Sequence, residues 1–123
     1  MNKEKRQYVR VQVGYPVLVK SSRGLLLGQI TDISPGGAFI CCQETSEPGE
    51  ILKMTIRVSP VSPPLKARGK VIRSQIYCLD DETMCHGMGV RFTKISADDR
   101  RVISSLISGY LKSQIASPQS TIP

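Results

Sequence analysis

Apolar and polar residues alternate along most of this chain, the period of strands that bury one face. Val9, Val11, Val13, Val17 and Val19 mark the first run, which Gly14-Tyr15-Pro16 interrupts. Proline cannot donate to a central ladder, so a bulge or bend is expected there. Ser21-Ser22-Arg23-Gly24 reads as a turn and Leu25 to Thr31 as a second strand. Ala38 to Cys42 is continuously apolar and is expected to be a third strand buried on both faces. A polar loop containing Pro48-Gly49 leads to a fourth strand, Ile51 to Val58. Pro60, Pro63 and Pro64 then exclude continuous pairing, so an exposed connection is expected.

Leu65 to Tyr77 reads as a fifth strand, with Ala67, Gly69, Val71 and, after a change of register, Ile76 facing inward. Asp80-Asp81-Glu82 marks an acidic hairpin tip, and Met84 to Phe92 a sixth strand. The period then changes to that of a helix, with Val102, Ile103, Leu106, Ile107, Tyr110, Leu111 and Ile115 on one apolar face. Ser96 stands as N-cap with acidic Asp99 three residues on, a variant of the capping box. The economical solution is a mainly β fold: a small six-stranded antiparallel barrel with a C-terminal α-helix packed over one end. Residues 1–9 read as a flexible basic arm, 10–115 as the barrel with its helix, and 116–123 as a disordered tail.

At 123 residues and 40% hydrophobic content, the chain fits one domain with a modest core. Its formal charge of +7 favours an anionic partner such as a nucleotide, a nucleic acid, a phosphate or an acidic protein face. The charge is polarised: Lys3, Lys5, Arg6, Arg10, Lys20 and Arg23 lie within the first 23 residues against Glu4 alone. No apolar run has membrane-spanning length and the first 15 residues lack a signal-peptide core, so a soluble, cytoplasmic protein is expected. Cys41, Cys42, Cys78 and Cys85 show no C-x-x-C spacing and are expected to be free thiols. A metal site that adds His86 and a Cys78–Cys85 bridge are the minor alternatives.

Two segments carry the chemistry. Arg6-Gln7-Tyr8-Val9-Arg10 offers two guanidinium forks, and Asp32-Ile33-Ser34-Pro35-Gly36-Gly37 offers a carboxylate, a hydroxyl and backbone N–H groups on a glycine turn. A guanidinium bonds bidentately to phosphate oxygens or to the O6/N7 edge of guanine, and a carboxylate accepts from the N1–H and N2–H₂ edge. In isolation the same residues also read as solvated charges and an Asx turn. Gly36 and Gly37 are expected to use positive φ angles and to admit a ligand close to the backbone.

Taken together and in this order, Arg6…Arg10 and Asp32…Ser34…Gly37 match RxxxR and [D/N]xSxxG, and the chain resembles the PilZ domain family from about Arg6 to Leu111. Gly89-Val90-Arg91-Phe92 is a third, weaker likeness. Bacterial PilZ domains with both motifs intact are receptors for cyclic di-GMP. The resemblance therefore implies that Arg6 and Arg10 meet phosphate and guanine, that Asp32 and Ser34 meet the guanine edge and a nearby phosphate, and that Gly36 and Gly37 shape the turn. Lys5, immediately before Arg6, points to an intercalated pair of ligands. The arm is expected to order on binding and to signal to a separate effector protein.

Two rival functions remain open. A small basic β-barrel that binds nucleic acid suits the charge, though such surfaces normally add aromatic platforms and this chain has no Trp. A PilZ-fold adaptor that works through protein contacts alone is the other. An enzyme is not expected: His86 is the single histidine, and Ser34 lies outside any G-x-S-x-G elbow. No cofactor or metal is expected beyond the nucleotide ligand, no membrane partner is expected, and monomer and homodimer are both left open.

Overall fold

The computed structural model describes residues 11–78 and 84–120, with side chains described over 11–76 and 86–112. Lys5, Arg6, Arg10 and the acidic tip at Asp80, Asp81 and Glu82 lie outside the described residues. Six strands are present: β1 (Val11–Ser21), β2 (Gly24–Ser34), β3 (Gly37–Cys42), β4 (Ile51–Ile56), β5 (Leu65–Cys78) and β6 (Met84–Ile95). They form a closed antiparallel barrel in the order β1-β2-β3-β6-β5-β4, sealed where Val17 to Lys20 of β1 pair with Ile56 to Lys53 of β4. Closure removes the exposed sheet edges that an open sheet of this size would present.

Alternation fills the interior. Val17 and Val19 from β1, Ile30 and Ile33 from β2, and Leu52, Met54 and Ile56 from β4 are all buried in one cluster. In β3 the residues Ala38, Ile40 and Cys42 are buried, whereas Phe39 and Cys41 are half-buried on the outer face. That corrects the expectation of a third strand buried on both faces, because a barrel strand meets the core with one face only. Ile76 is also corrected, being 58% exposed. It pairs with His86, which pairs in turn with Cys42 at the end of β3, so Ile76 sits at the barrel rim beyond the core.

The cysteines divide by the same parity. Cys42 is a free buried thiol whose Sγ donates to the Glu44 carbonyl at 2.7 Å. Burial raises its pKa, with smaller opposed effects of the Glu44 carbonyl and charge. Cys41, facing outward, is disulfide-bonded, which corrects the expectation of free thiols throughout.

Among the described residues, four register irregularities occur, at Gln12/Tyr15, Ile30/Asp32, Arg68/Gly69 and Val71/Arg73. The first is the interruption expected at Gly14-Tyr15-Pro16. The tight turn between β1 and β2 ends on Gly24, whose φ of 124° falls in the region that glycine alone enters easily.

The helix α1 (Ala97–Ser120) begins as expected: Ser96 Oγ accepts from the Asp99 N–H at 3.0 Å. The Asp99 carboxylate then accepts from the Lys66 N–H at 3.1 Å and ties the helix start to β5. Among the described residues of the apolar stripe, Ile103 and Ile107 are the ones buried in the barrel core. Val102, Tyr110 and Leu111 are each more than a third exposed, so the helix buries a narrow i, i+4 seam rather than a whole face. Its backbone continues to Ser120, past the end expected near residue 115. No described helix is long and apolar enough to cross a membrane.

Candidate functional site

A glycine turn between β2 and β3 anchors the candidate site. Ser34 is buried, and its Oγ accepts from the Gly36 N–H at 3.2 Å and donates to the Gly37 carbonyl at 3.4 Å. The hydroxyl therefore shapes the turn from within. The Gly36 carbonyl accepts from the Phe92 N–H at 2.8 Å, and the Pro35 carbonyl accepts from Arg100 Nη1 of α1 at 3.3 Å. Turn, sixth strand and helix are thus held as one unit.

Neither Gly36 nor Gly37 has a positive φ; among the described residues that conformation belongs to Gly24 and Gly49. This corrects the expected reason for the two glycines. At Gly37 the constraint is contact: an added Cβ would lie 2.2 Å from the Val90 carbonyl oxygen of β6. The last glycine of the motif is here a packing requirement between β3 and β6.

Asp32 reaches the outer surface because of a bulge. Ile30 and Ile33 are both fully buried although three residues apart, so the extra residue at Thr31 shifts the parity and turns Asp32 outward, opposite Phe39. Its Oδ1 is itself buried, leaving the carboxylate partly sunk in the surface. A second bulge does the same on the far side. Val71 pairs with Val90 and Arg73 with Gly89, so the extra residue Ile72 turns Arg73 outward.

One continuous outer row results, crossing four strands: Asp32 on β2, Phe39 on β3, Gly89 on β6 and Arg73 on β5. At about 4.8 Å per strand the row spans roughly 14 Å. Gly89 carries no side chain beside Phe39 and so leaves room above the sheet. The Arg73 side chain lies over it, with Nε 3.7 Å and Cζ 3.8 Å from where a Cβ would stand. An acceptor, an aromatic surface and a guanidinium laid over a glycine are therefore arranged in line. That set suits a flat, hydrogen-bonding, anionic ligand.

Sequence reasoning identified Asp32, Ser34, Gly36 and Gly37, and the structure brings these together. It missed Phe39 and Arg73. Arg73 depends on a bulge whose position the alternation pattern does not disclose, and Phe39 lies on the outer face of β3, the strand expected to be buried on both faces. Of the third likeness, Val90 and Phe92 are buried in the core, while Arg91 is exposed and pairs with Gly37. Val11, the residue after Arg10, pairs with Ile33, so β1 begins beside the glycine turn. Among the described residues no group of three His, Cys, Asp or Glu is placed to hold a metal ion.

Comparison with known proteins places this geometry in context. The family described as PilZ domain matches residues 4–109. No curated protein matches the sequence significantly. Among solved structures, the PilZ domain of YcgR from Escherichia coli with c-di-GMP is similar at a TM-score of 0.75 and 14% identity, covering 96% of this chain and 99% of that one. The Bacillus subtilis inhibitor of motility MotI/DgrA is similar at 0.70 and 23% identity, covering 88% of this chain and 52% of that one. The MrkH–c-di-GMP complex of K. pneumonia is similar at 0.74 and 17% identity, covering 95% and 55%. This chain thus spans about half the length of MotI/DgrA and MrkH. At these identities the likeness concerns the fold.

Proposed function

Since the chain belongs to the PilZ domain family, we propose that it is a receptor for cyclic di-GMP, acting as a binding module rather than an enzyme. The observation that carries this reading is the outer row Asp32–Phe39–Gly89–Arg73 set against the braced glycine turn. YcgR and MrkH, which share the fold, have been solved with c-di-GMP. One guanine lies beside Phe39, against the Arg73 guanidinium that covers Gly89. Asp32 accepts from its N1–H and N2–H₂ edge, and Arg73 serves an O6/N7 edge or a phosphate. Ser34 acts through the turn, presenting the rim rather than touching the ligand.

Arg6 and Arg10 supply charge from the segment that leads into β1 beside this turn, and Lys5 favours a second, stacked ligand. The ordering of that segment on binding is the output, read by a separate effector protein. Isothermal titration calorimetry with cyclic di-GMP, against cyclic di-AMP and GTP, tests the reading. Guanine-selective binding is expected, with a ligand ratio near two. Asp32→Ala and Arg73→Ala should each weaken binding by about 1–3 kcal/mol while the fold persists. No binding by a folded sample, or equal binding of the adenine analogue, would overturn it.

A further inference from the structure

A second surface of the barrel is organised by charge. Lys20 of β1 pairs with Lys53 of β4, Lys53 with Arg68 of β5, and Arg68 with Lys94 of β6. Four cations on four adjacent strands therefore stand directly opposite one another, and all four are exposed. Like charges in this relation repel, so the row does nothing for the barrel's own stability. Lys66, two residues before Arg68 on the same face, adds a fifth.

These cations line a depression of about 490 Å³ whose walls, among the described residues, contain no acidic and no aromatic residue. Leu18 and Leu25, 39% and 63% exposed, give it an apolar side, and Ile95 and Ser96 close it at the helix start. It is separate from the row at Asp32, and its argument does not depend on which nucleotide binds there.

We propose that this depression is the docking site for an acidic amphipathic helix of a partner protein. Charge complementarity demands an anion, and the exposed leucines demand an apolar side chain beside it. Across the row the cations recur at about 4.8 Å. Carboxylates at i and i+4 of a helix recur at about 5–6 Å, a closer match than the same-face spacing of an extended strand. A flat bilayer would leave the hollow unfilled, and single-stranded nucleic acid would lack a stacking residue.

The test uses the whole ¹⁵N-labelled chain and two synthetic peptides of one composition. The first is a helix former with Glu at i and i+4 and Leu at i+3 and i+7; the second is its scramble. Saturable shifts confined to the strands around Leu18, Lys53, Arg68 and Lys94 are expected with the first peptide only. Lys53→Glu and Arg68→Glu should each lower its affinity at least fivefold without altering nucleotide binding, and Lys53→Gln is the milder check should a reversal unfold the chain. Equal binding of the scramble, no shifts, or shifts elsewhere would overturn the proposal. So would tighter binding at these residues by phosphatidylserine vesicles or a single-stranded oligonucleotide.

Discussion

Two rows of side chains cross the outside of this barrel, and they are built on opposite principles. The row Asp32–Phe39–Gly89–Arg73 is varied in chemistry and held by its surroundings: two bulges aim its ends, and the Ser34 turn braces its edge. The row Lys20–Lys53–Arg68–Lys94 is uniform and repeats one charge, and the irregularity beside it at Arg68/Gly69 leaves all four cations on one face. The first row is costly to assemble and varied in what it offers a ligand. The second is easy to assemble, costs electrostatic energy while empty, and selects mainly by sign. A preorganised patch suits one shaped ligand, whereas a flexible cationic row suits a partner that brings compensating charge.

The comparison is sharpest at two glycines. Gly37→Ala should be the most damaging change, because its Cβ meets the Val90 carbonyl at 2.2 Å and backbone cannot yield cheaply. A loss of about 3 kcal/mol is expected, enough to lower the melting temperature by roughly 12 °C or more. Gly89→Ala meets nothing nearer than Arg73 Cγ at 3.5 Å, an ordinary contact. It should melt like the wild type yet bind cyclic di-GMP more weakly, because the added methyl stands under the Arg73 guanidinium and narrows the space beside Phe39. Thermal melts and calorimetry on the two variants check this directly. Equal melting of both would mean that the Gly37 contact is not limiting.

These glycines also mark how far the sequence could be read. The six strands, the Ser96 cap and the acceptor at Asp32 follow from period, capping chemistry and motif, because each is written in residues close together along the chain. The close approach of Gly37 to Val90 is a meeting of β3 with β6, and no local pattern encodes it. Phe39 was missed because β3 is continuously apolar and reads as buried on both faces, and Arg73 because of a bulge. A bulge at Thr31 or Ile72 leaves no compositional mark, yet each reverses the parity of everything after it. The exposed part of the helix stripe was misread because periodicity reports an apolar face, not how much of it the barrel is wide enough to cover.

The cationic row makes a smaller prediction of opposite sign. Lys53→Glu places a carboxylate between Lys20 and Arg68, converting two repulsive cross-strand pairs into attractive ones. Stability should rise by roughly 0.2–1 kcal/mol at low salt, and the gain should shrink toward zero near 1 M salt as screening shortens the range. Urea melts at the two ionic strengths read it. A stability loss, or a gain that ignores salt, would mean that the four cations are not in mutual repulsion and that the contrast between the rows is overstated.

The smallest effect lies just beyond Lys20, where Glu50 braces the turn between β1 and β2. Its Oε2 accepts from Ser22 Oγ at 2.7 Å and from the Ser22 N–H at 3.1 Å. The Ser22 side-chain bond, then the Ser22 backbone bond, hold the Glu50 pKa below its usual value, with a lesser contribution from Arg23. A depressed folded pKa means stability that is present above the unfolded pKa and lost as pH falls through the folded one. The melting temperature of the wild type should therefore exceed that of Glu50→Gln near neutrality, and the gap should close as the medium is acidified below the ordinary range for glutamate. A gap that stays constant with pH would assign it to the geometry of the amide rather than to charge. The brace would then be a matter of shape, as at Ser34, and the distinction between a shaped end and a charged end of the barrel would weaken.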